Sequence, residues 1–292
     1  MGKKQEYMNG QIEMKNLKKD SVERTLCIPL WSRAIAVKKL PQILPDYDAE
    51  RILKQMGERK PPTVFYNMEC AALAGAIRQY DLSCEINDYL EENPDAVIVE
   101  LGCGLSCLRR QMKIDHNLWI NIDLNDVIVC REKYIPRREN EKNLIADITD
   151  HRWFDEIPFV EEKGIIFLAA GVLHYLSKED AHYLIKDMAE HFPGGLFVFD
   201  YVSSFGARSG NSQIRQTGND TKIRFTMENA EKEISLISDK IRSVEQKSYL
   251  EGYPVSGVKY NPITKLYIRS KRKQYFVARV GFCKTADLKN VH

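Results

Sequence analysis

AVIVELGCGLSCLRRQMKIDHNLWINIDLND, residues 96–126, is the stretch whose reading decides the fold. Its first apolar run, 96–99, reads as a buried strand and meets an acid, Glu100, then Gly102 and Gly104. A helix-compatible segment follows, and a second apolar strand, 118–122, ends on Asp123. A strand, a glycine turn, a helix and a strand tipped by an acid form the unit that receives a nucleoside at the carboxyl edge of a parallel sheet. The glycines lack a Cβ and accept positive φ, so the backbone can press against a ligand. Asp123 stands nineteen residues after Gly104, close to the spacing at which an acid meets both ribose hydroxyls. Gly-x-Gly by itself also fits an ordinary βαβ turn, so the flanking strands and the terminal acid carry the reading.

The third glycine of Gly-x-Gly-x-x-Gly is missing, since position 107 is Cys107. That glycine normally lets a helix pack closely beneath a pyrophosphate. Its loss, with Glu100 at the strand end, points away from dinucleotides and towards S-adenosylmethionine, which has no phosphate and carries a cationic amino group for an acid to meet.

Working outward, the same alternation continues. Strands are expected at 143–146, ending at Asp147, at 164–170, wholly apolar as a central parallel strand should be, and at 195–202. Helices fit at 127–134 and, after a Ser177 cap, at 178–191. Before the first strand the text is helical: 22–37, then 49–56 capped by Asp48, then one or two helices over 63–90. After Ser203 the Gly- and Ser-rich segment 205–220 predicts a mobile loop. A helix at 227–237, a strand at 241–250, an irregular basic segment at 251–273 and a strand at 274–282 close the chain, the two late strands suiting an antiparallel hairpin at the sheet edge. The expected fold is α/β: a Rossmann-like, doubly wound, mostly parallel sheet with an antiparallel edge strand and an N-terminal helical lid. The division is a disordered tail at 1–20, a lid region at 21–92 and the Rossmann-like domain at 93–292.

Bulk properties narrow the classes. With 292 residues, 43% of them hydrophobic, a full core is within reach. Forty-three basic against 41 acidic residues leave a net charge of +2, which gives no reason to expect nucleic acid or an anionic membrane as a partner. No apolar run approaches the roughly 20 residues of a membrane span. Seven cysteines and no export signal read as reduced thiols in a cytoplasm. Cys103 and Cys107 form a CxxxC pair without further ligands nearby, so no metal is expected.

More residues now combine into a resemblance: Thr25-Leu26-x-x-Pro29-Leu30-x-x-Arg33-Ala34, Arg78-x-x-Asp81, Val99-Glu100-Leu101-Gly102-Cys103-Gly104 and Asp123-Leu124-x-x-Val127-Ile128. Ala146-Asp147 before Trp153, Gly171-Val172-Leu173-x-Tyr175-Leu176, and Pro193-Gly194 before Phe199-Asp200 extend it. The chain resembles, over about 21–205, the class I S-adenosylmethionine-dependent methyltransferases of the leucine carboxyl methyltransferase and tetracenomycin polyketide O-methyltransferase family. The resemblance implies roles. Arg78 pairs with the carboxylate of the cofactor's methionine part; Glu100, Gly102 and Gly104 hold that part; Asp123 with Leu124 meets the ribose; Asp147 with Ile148 meets adenine; Arg33 and Asp200 lie near the substrate. Ala170 stands where the family usually carries Glu at the end of the fourth strand, facing cofactor and acceptor. His174, followed by Tyr175, is a candidate general base. The expected activity is methyl transfer from S-adenosylmethionine, leaving S-adenosylhomocysteine, to a carboxyl or hydroxyl of a small molecule such as a polyketide. The alternatives are a protein C-terminal carboxyl acceptor and a cofactor-binding protein that has lost catalysis.

Overall fold

The computed structural model describes residues 26–57, 68–216, 221–248 and 258–288; the expected tail at 1–20 lies outside them. Five parallel strands, β1 (Val97–Leu101), β2 (Trp119–Asp123), β3 (Glu141–Ile145), β4 (Ile165–Ala169) and β5 (Leu196–Val202), are joined by β6 (Ile241–Ser248) and β7 (Tyr275–Phe282). Their order is β3-β2-β1-β4-β5-β7-β6, with β7 antiparallel to both its neighbours. The protein is thus a Rossmann-like α/β fold with a mostly parallel sheet. Order reverses between β1 and β4, where an open α/β sheet leaves a crevice outside its strand ends. The last two strands pair antiparallel at the sheet edge as expected, with β6 outermost and a helix in the connection between them.

Alternation along the strands sorts two cores. Val99, Phe167 and Phe199 face α6 (Lys178–His191), meeting Leu184 and Met188. Ile98, Leu168 and Val198 face α3 (Met68–Glu92), meeting Ile77 and Ile86. Every residue of β4 and β5 is buried, and each large apolar side chain there contributes about 1.5–3 kcal/mol. Glu85 on α3 is wholly buried and takes Lys247 at 2.9 Å and Arg279 at 3.7 Å, tying that helix to β6 and β7.

Ahead of α3, α1 (Cys27–Lys39) crosses it so closely that a Cβ on Gly75 would fall 2.4 Å from the Ser32 Cβ. The second helix, α2 (Tyr47–Gln55), is capped by Asp46, whose Oδ1 accepts from the Ala49 amide at 3.1 Å. Asp48, the expected cap, instead takes the Arg51 guanidinium at 2.6 Å. The β1–β2 and β2–β3 connections carry α4 (Leu108–Met112) and α5 (Asn125–Tyr134). Ser177 caps α6 as expected, accepting from the Asp180 amide at 3.0 Å.

The largest departure follows β5. Of the segment expected to be a mobile loop, 205–216 belongs to α7 (Ser204–Gln216), and 217–220 lie outside the described residues. Its glycines serve close packing: a Cβ on Gly206 would lie 2.7 Å from the Gln274 carbonyl oxygen, and one on Gly210 2.6 Å from Ile223 Cδ1. The expected helix at 227–237 shortens to α8 (Ala230–Ile234), because Asn229 caps it at the Lys232 amide and Met227 donates its amide to the Val202 carbonyl. Within the segment expected to be irregular, α9 (Pro262–Lys271) forms, with Pro at its first turn and Asn261 accepting from the Thr264 amide at 2.8 Å. A final turn of helix, α10 (Thr285–Leu288), follows β7.

Candidate functional site

Register lines up the carboxyl ends of the parallel strands. Leu101 pairs with Ile122 on one side and Ala169 on the other, Asp123 with Ile145, and Ala169 with Phe199. Gly102, Asp123, Asp147, Ala170 and Asp200 therefore stand within a residue or two of one edge.

At the β1–β2 end, Gly102 and Gly104 have φ of +59° and +50°, the left-handed region that other residues avoid. A Cβ on Gly102 would lie 2.4 Å from Val172 Cγ2, so the turn presses against the segment after β4. Leu26, ahead of α1, reaches the same turn: its Cδ2 would be 2.8 Å from a Cβ on Gly104. Asp123 braces the turn from the side, accepting the Gly104 amide at 2.7 Å on one oxygen and the Leu124 amide at 2.8 Å on the other. Leu124 is the residue before α5 and is exposed.

Buried arginines hold the turn from behind. Arg131 donates to the Gly104 and Ser106 carbonyls at 3.2 and 2.7 Å. Arg33 donates to the Leu105 carbonyl and to Asp46, both at 2.8 Å. Arg33, expected near the substrate, is thus buried among protein partners and links α1 to the turn. Glu100, expected at the strand end beside the cofactor, is buried as well. The strand runs past it to Leu101, and its carboxyl is buried near Arg131, Ser106, Arg33 and Trp119. Burial pushes its pKa up, and the neighbouring guanidinium groups draw it only partly back. Arg131 escaped the sequence reading, although α5 buries Val127, Ile128, Arg131 and Tyr134 on one stripe. An arginine at a core-facing position of a helix was the available signal.

The CxxxC thiols are buried. Burial raises the Cys103 pKa well above its ordinary value and pushes Cys107 up to about 12, so both stay protonated. Among the described residues one set of metal-type donors gathers within 4.8 Å, Asp46, Asp48 and Cys107. Both carboxylates already pair with arginines, Arg33 and Arg51, and a protonated thiol is a poor ligand.

Asp147 follows β3 on the surface and folds over its own turn, accepting the Thr149 amide at 2.9 Å and hydroxyl at 2.7 Å. Ile148 beside it is buried, and its carbonyl accepts from Trp153 at 3.4 Å.

The β4–β5 end gathers distant residues. Asp200, wholly buried on β5, accepts the Gly171 amide at 2.5 Å on one oxygen. Its other oxygen meets Arg78 Nε, from α3, at 2.9 Å and His174 Nε2 at 3.2 Å. Burial alone would raise the Asp200 pKa; Arg78, His174 and the Gly171 amide override it and hold the carboxyl well below the usual carboxylate range. Arg78 Nη1 would lie 2.7 Å from a Cβ on Gly171, whose φ is +71°. His174 is buried, and its carbonyl accepts the Arg224 amide at 2.7 Å. Tyr175 stands edge-on to it, ring centroids 6.5 Å apart. Ala170, at the tip of β4, packs against the α3-side core. Sequence reading had set Arg78 and Asp200 at separate ligands; the structure pairs them.

No protein-family model matches the chain. It is 27% identical over 202 residues to the tetracenomycin polyketide synthesis O-methyltransferase TcmP of Streptomyces glaucescens, covering 68% of this chain and 73% of that one. It is 25% identical over 224 residues to the S-adenosyl-L-methionine-dependent methyltransferase dpfgK of Gibberella zeae, covering 66% and 74%. In structure it is similar to a proposed methyltransferase of Thermobifida fusca, with a TM-score of 0.53 at 15% identity over 87% of this chain and 94% of that one. A DUF574 family protein of Streptomyces avermitilis gives 0.52 at 10% identity over 86% and 97%. Likeness at that level speaks for the fold.

Proposed function

We propose, from the premise that this chain belongs with the tetracenomycin-type S-adenosylmethionine-dependent methyltransferases, that it methylates a carboxyl or hydroxyl oxygen of a small molecule. The observation that carries the reading is the row of groups along the carboxyl edge on both sides of the β1/β4 crevice. A carboxylate and a Cβ-free turn stand at one end, and a guanidinium at the other. That donor set fits a nucleoside joined to an amino acid. Asp123, with Leu124, would take the ribose hydroxyls and Asp147, with Ile148, the adenine end. Gly102 and Gly104 let the backbone approach, and Arg78 would fork onto the carboxylate. When bound, S-adenosylmethionine supplies an activated methyl on a sulfonium and departs as S-adenosylhomocysteine.

The chain's own task is then to align the acceptor oxygen and exclude water. A carboxylate acceptor needs no base. For a hydroxyl acceptor, His174 is the group to take the proton. Ionised Asp200 can only accept, so Nε2 carries the hydrogen that faces it and Nδ1 keeps a lone pair. Nδ1 is buried with no hydrogen-bond partner among the described residues. Tyr175 would position the ring. The helices before β1, which reach the glycine turn through Leu26, suit a cover over the site.

Labelled methyl transfer to a pool of aromatic and aliphatic acids and phenols tests this. The expected product carries one labelled methyl. Release of labelled methanol in mild alkali marks an ester, and resistance marks an ether. Cofactor binding without transfer to any acceptor would favour the binding-protein reading that Ala170 suggests. Binding of NAD with none of S-adenosylmethionine would overturn both.

A further inference from the structure

The mechanism makes no use of Lys271. Lys271, at the end of α9, lies over two aromatic faces: its Nζ is 5.6 Å from the Tyr267 ring centroid and 4.8 Å from that of Tyr275. Its hydrogen-bond partner is the Gln274 side-chain oxygen at 3.3 Å, and among the described residues no carboxylate pairs with it. Burial lowers its pKa, the cost of holding an uncompensated ammonium out of water.

Sheet register places Tyr275, over which the ammonium lies, at the site. Val202 pairs with Tyr275 and Asp200 with Val277, so Tyr275 and Asp200 share a face, one diagonal step apart. Ala170, Tyr267 and Tyr275 all pack against the same core as α3, from which Arg78 projects. A Cβ on Gly210 of α7 would lie 3.9 Å from the Tyr275 hydroxyl, so α7 closes another side. Among the described residues the charges in the cluster do not cancel. Asp200 is matched by Arg78, Ala170 contributes no acid, and Lys271 remains as one positive charge against two tyrosine faces.

We propose that Lys271, seated on Tyr267 and Tyr275 beside the Arg78–Asp200 pair, binds an anionic group of an aromatic methyl acceptor. The proposal rests on the methyltransferase reading of this site. An aromatic ring finds stacking partners in the two tyrosines, and its carboxylate or phenolate replaces the missing counter-charge. A lysine kept only for its stem would need no charge, and that distinguishes the two roles.

The test is calorimetry on the full chain with S-adenosylhomocysteine present. The probes are benzoate, salicylate and 3-hydroxy-2-naphthoate, each against its neutral amide. The wild type is expected to bind at least one acid about tenfold tighter than the amide. Lys271→Met should fold with an unchanged melting temperature, bind S-adenosylhomocysteine normally and lose the preference for the acid; Lys271→Arg should retain it. If neither acids nor amides bind while S-adenosylhomocysteine does, or if Lys271→Met keeps the preference, the subsite is overturned and the methyltransferase reading stands. Failure of S-adenosylhomocysteine to bind the wild type overturns both.

Discussion

The two ends of the carboxyl edge are built in opposite ways. At the β1–β2 end the parts are neighbours in the chain: Gly104 and Asp123 lie 19 residues apart and bond directly. Their stiffness comes from buried arginines gripping backbone carbonyls. At the β4–β5 end the parts arrive from α3, from the turn after β4 and from β5, and one carboxylate, Asp200, joins them. The first end is a local motif held from behind. The second is a tertiary cluster held from within, and its function and stability are therefore harder to separate.

Removing the grip at the first end should give the largest effect. Arg131→Met keeps the stem's volume but strips the partner of two turn carbonyls and leaves Glu100 and Glu141 buried beside a neutral side chain. Breaking a buried pair on one side costs about 3–5 kcal/mol, which denaturant melts would register. A loss below about 1 kcal/mol would show that the turn holds itself.

At the second end Asp200→Asn should cost about 3 kcal/mol, since Arg78 loses its counter-charge and His174 the carboxylate that accepts from its ring. The folded carboxyl titrates below its unfolded value of about 3.9, so its stabilisation is complete above that pH and disappears as the pH falls through the folded pKa. The wild type should therefore show an acid limb of stability below about pH 4 that is flattened in Asp200→Asn melts. Methyl transfer should fall with it, because Arg78 and His174 are released together.

Asp123→Ala separates the ends in the opposite sense. Its Leu124 partner is exposed and its Gly104 partner buried, but Asp123 is itself half-buried, so water can take over the freed amide and folding should lose only about 1 kcal/mol. Affinity for S-adenosylhomocysteine should drop about tenfold to a hundredfold by calorimetry, as for the loss of a charged acceptor. Unchanged affinity would remove Asp123 from the site.

This contrast explains what the sequence disclosed. Strand periodicity and the apolar run of β4 told the sheet, because a strand buried on both faces must be apolar throughout. Gly102, Gly104 and Asp123 were legible because their geometry is local. The Arg78–Asp200 pair was not, since no spacing connects α3 to β5; each residue suggested a ligand because its partner could not be seen. The same blindness left the partners of Arg33, Asp46 and the Leu105 carbonyl, unseen.

The segment after β5 shows the limit most sharply, and its glycines give the smallest but most discriminating test. Glycine in a helix costs about 1 kcal/mol relative to alanine, so 205–220 reads as a loop from composition alone. In α7 the two glycines meet different neighbours. A Cβ at 206 would press on a backbone oxygen of Gln274, which is fixed by the entry to β7. A Cβ at 210 would meet the terminal methyl of Ile223, which can swing aside. Gly206→Ala should therefore lose about 1–3 kcal/mol to overpacking. Gly210→Ala should come out between neutral and about 1 kcal/mol more stable, as helix propensity outweighs a small side-chain shift. A flexible loop would treat both substitutions alike, so equal melting temperatures for the two variants would dissolve α7, and a split in the stated direction would fix it against β7 beside the tyrosines.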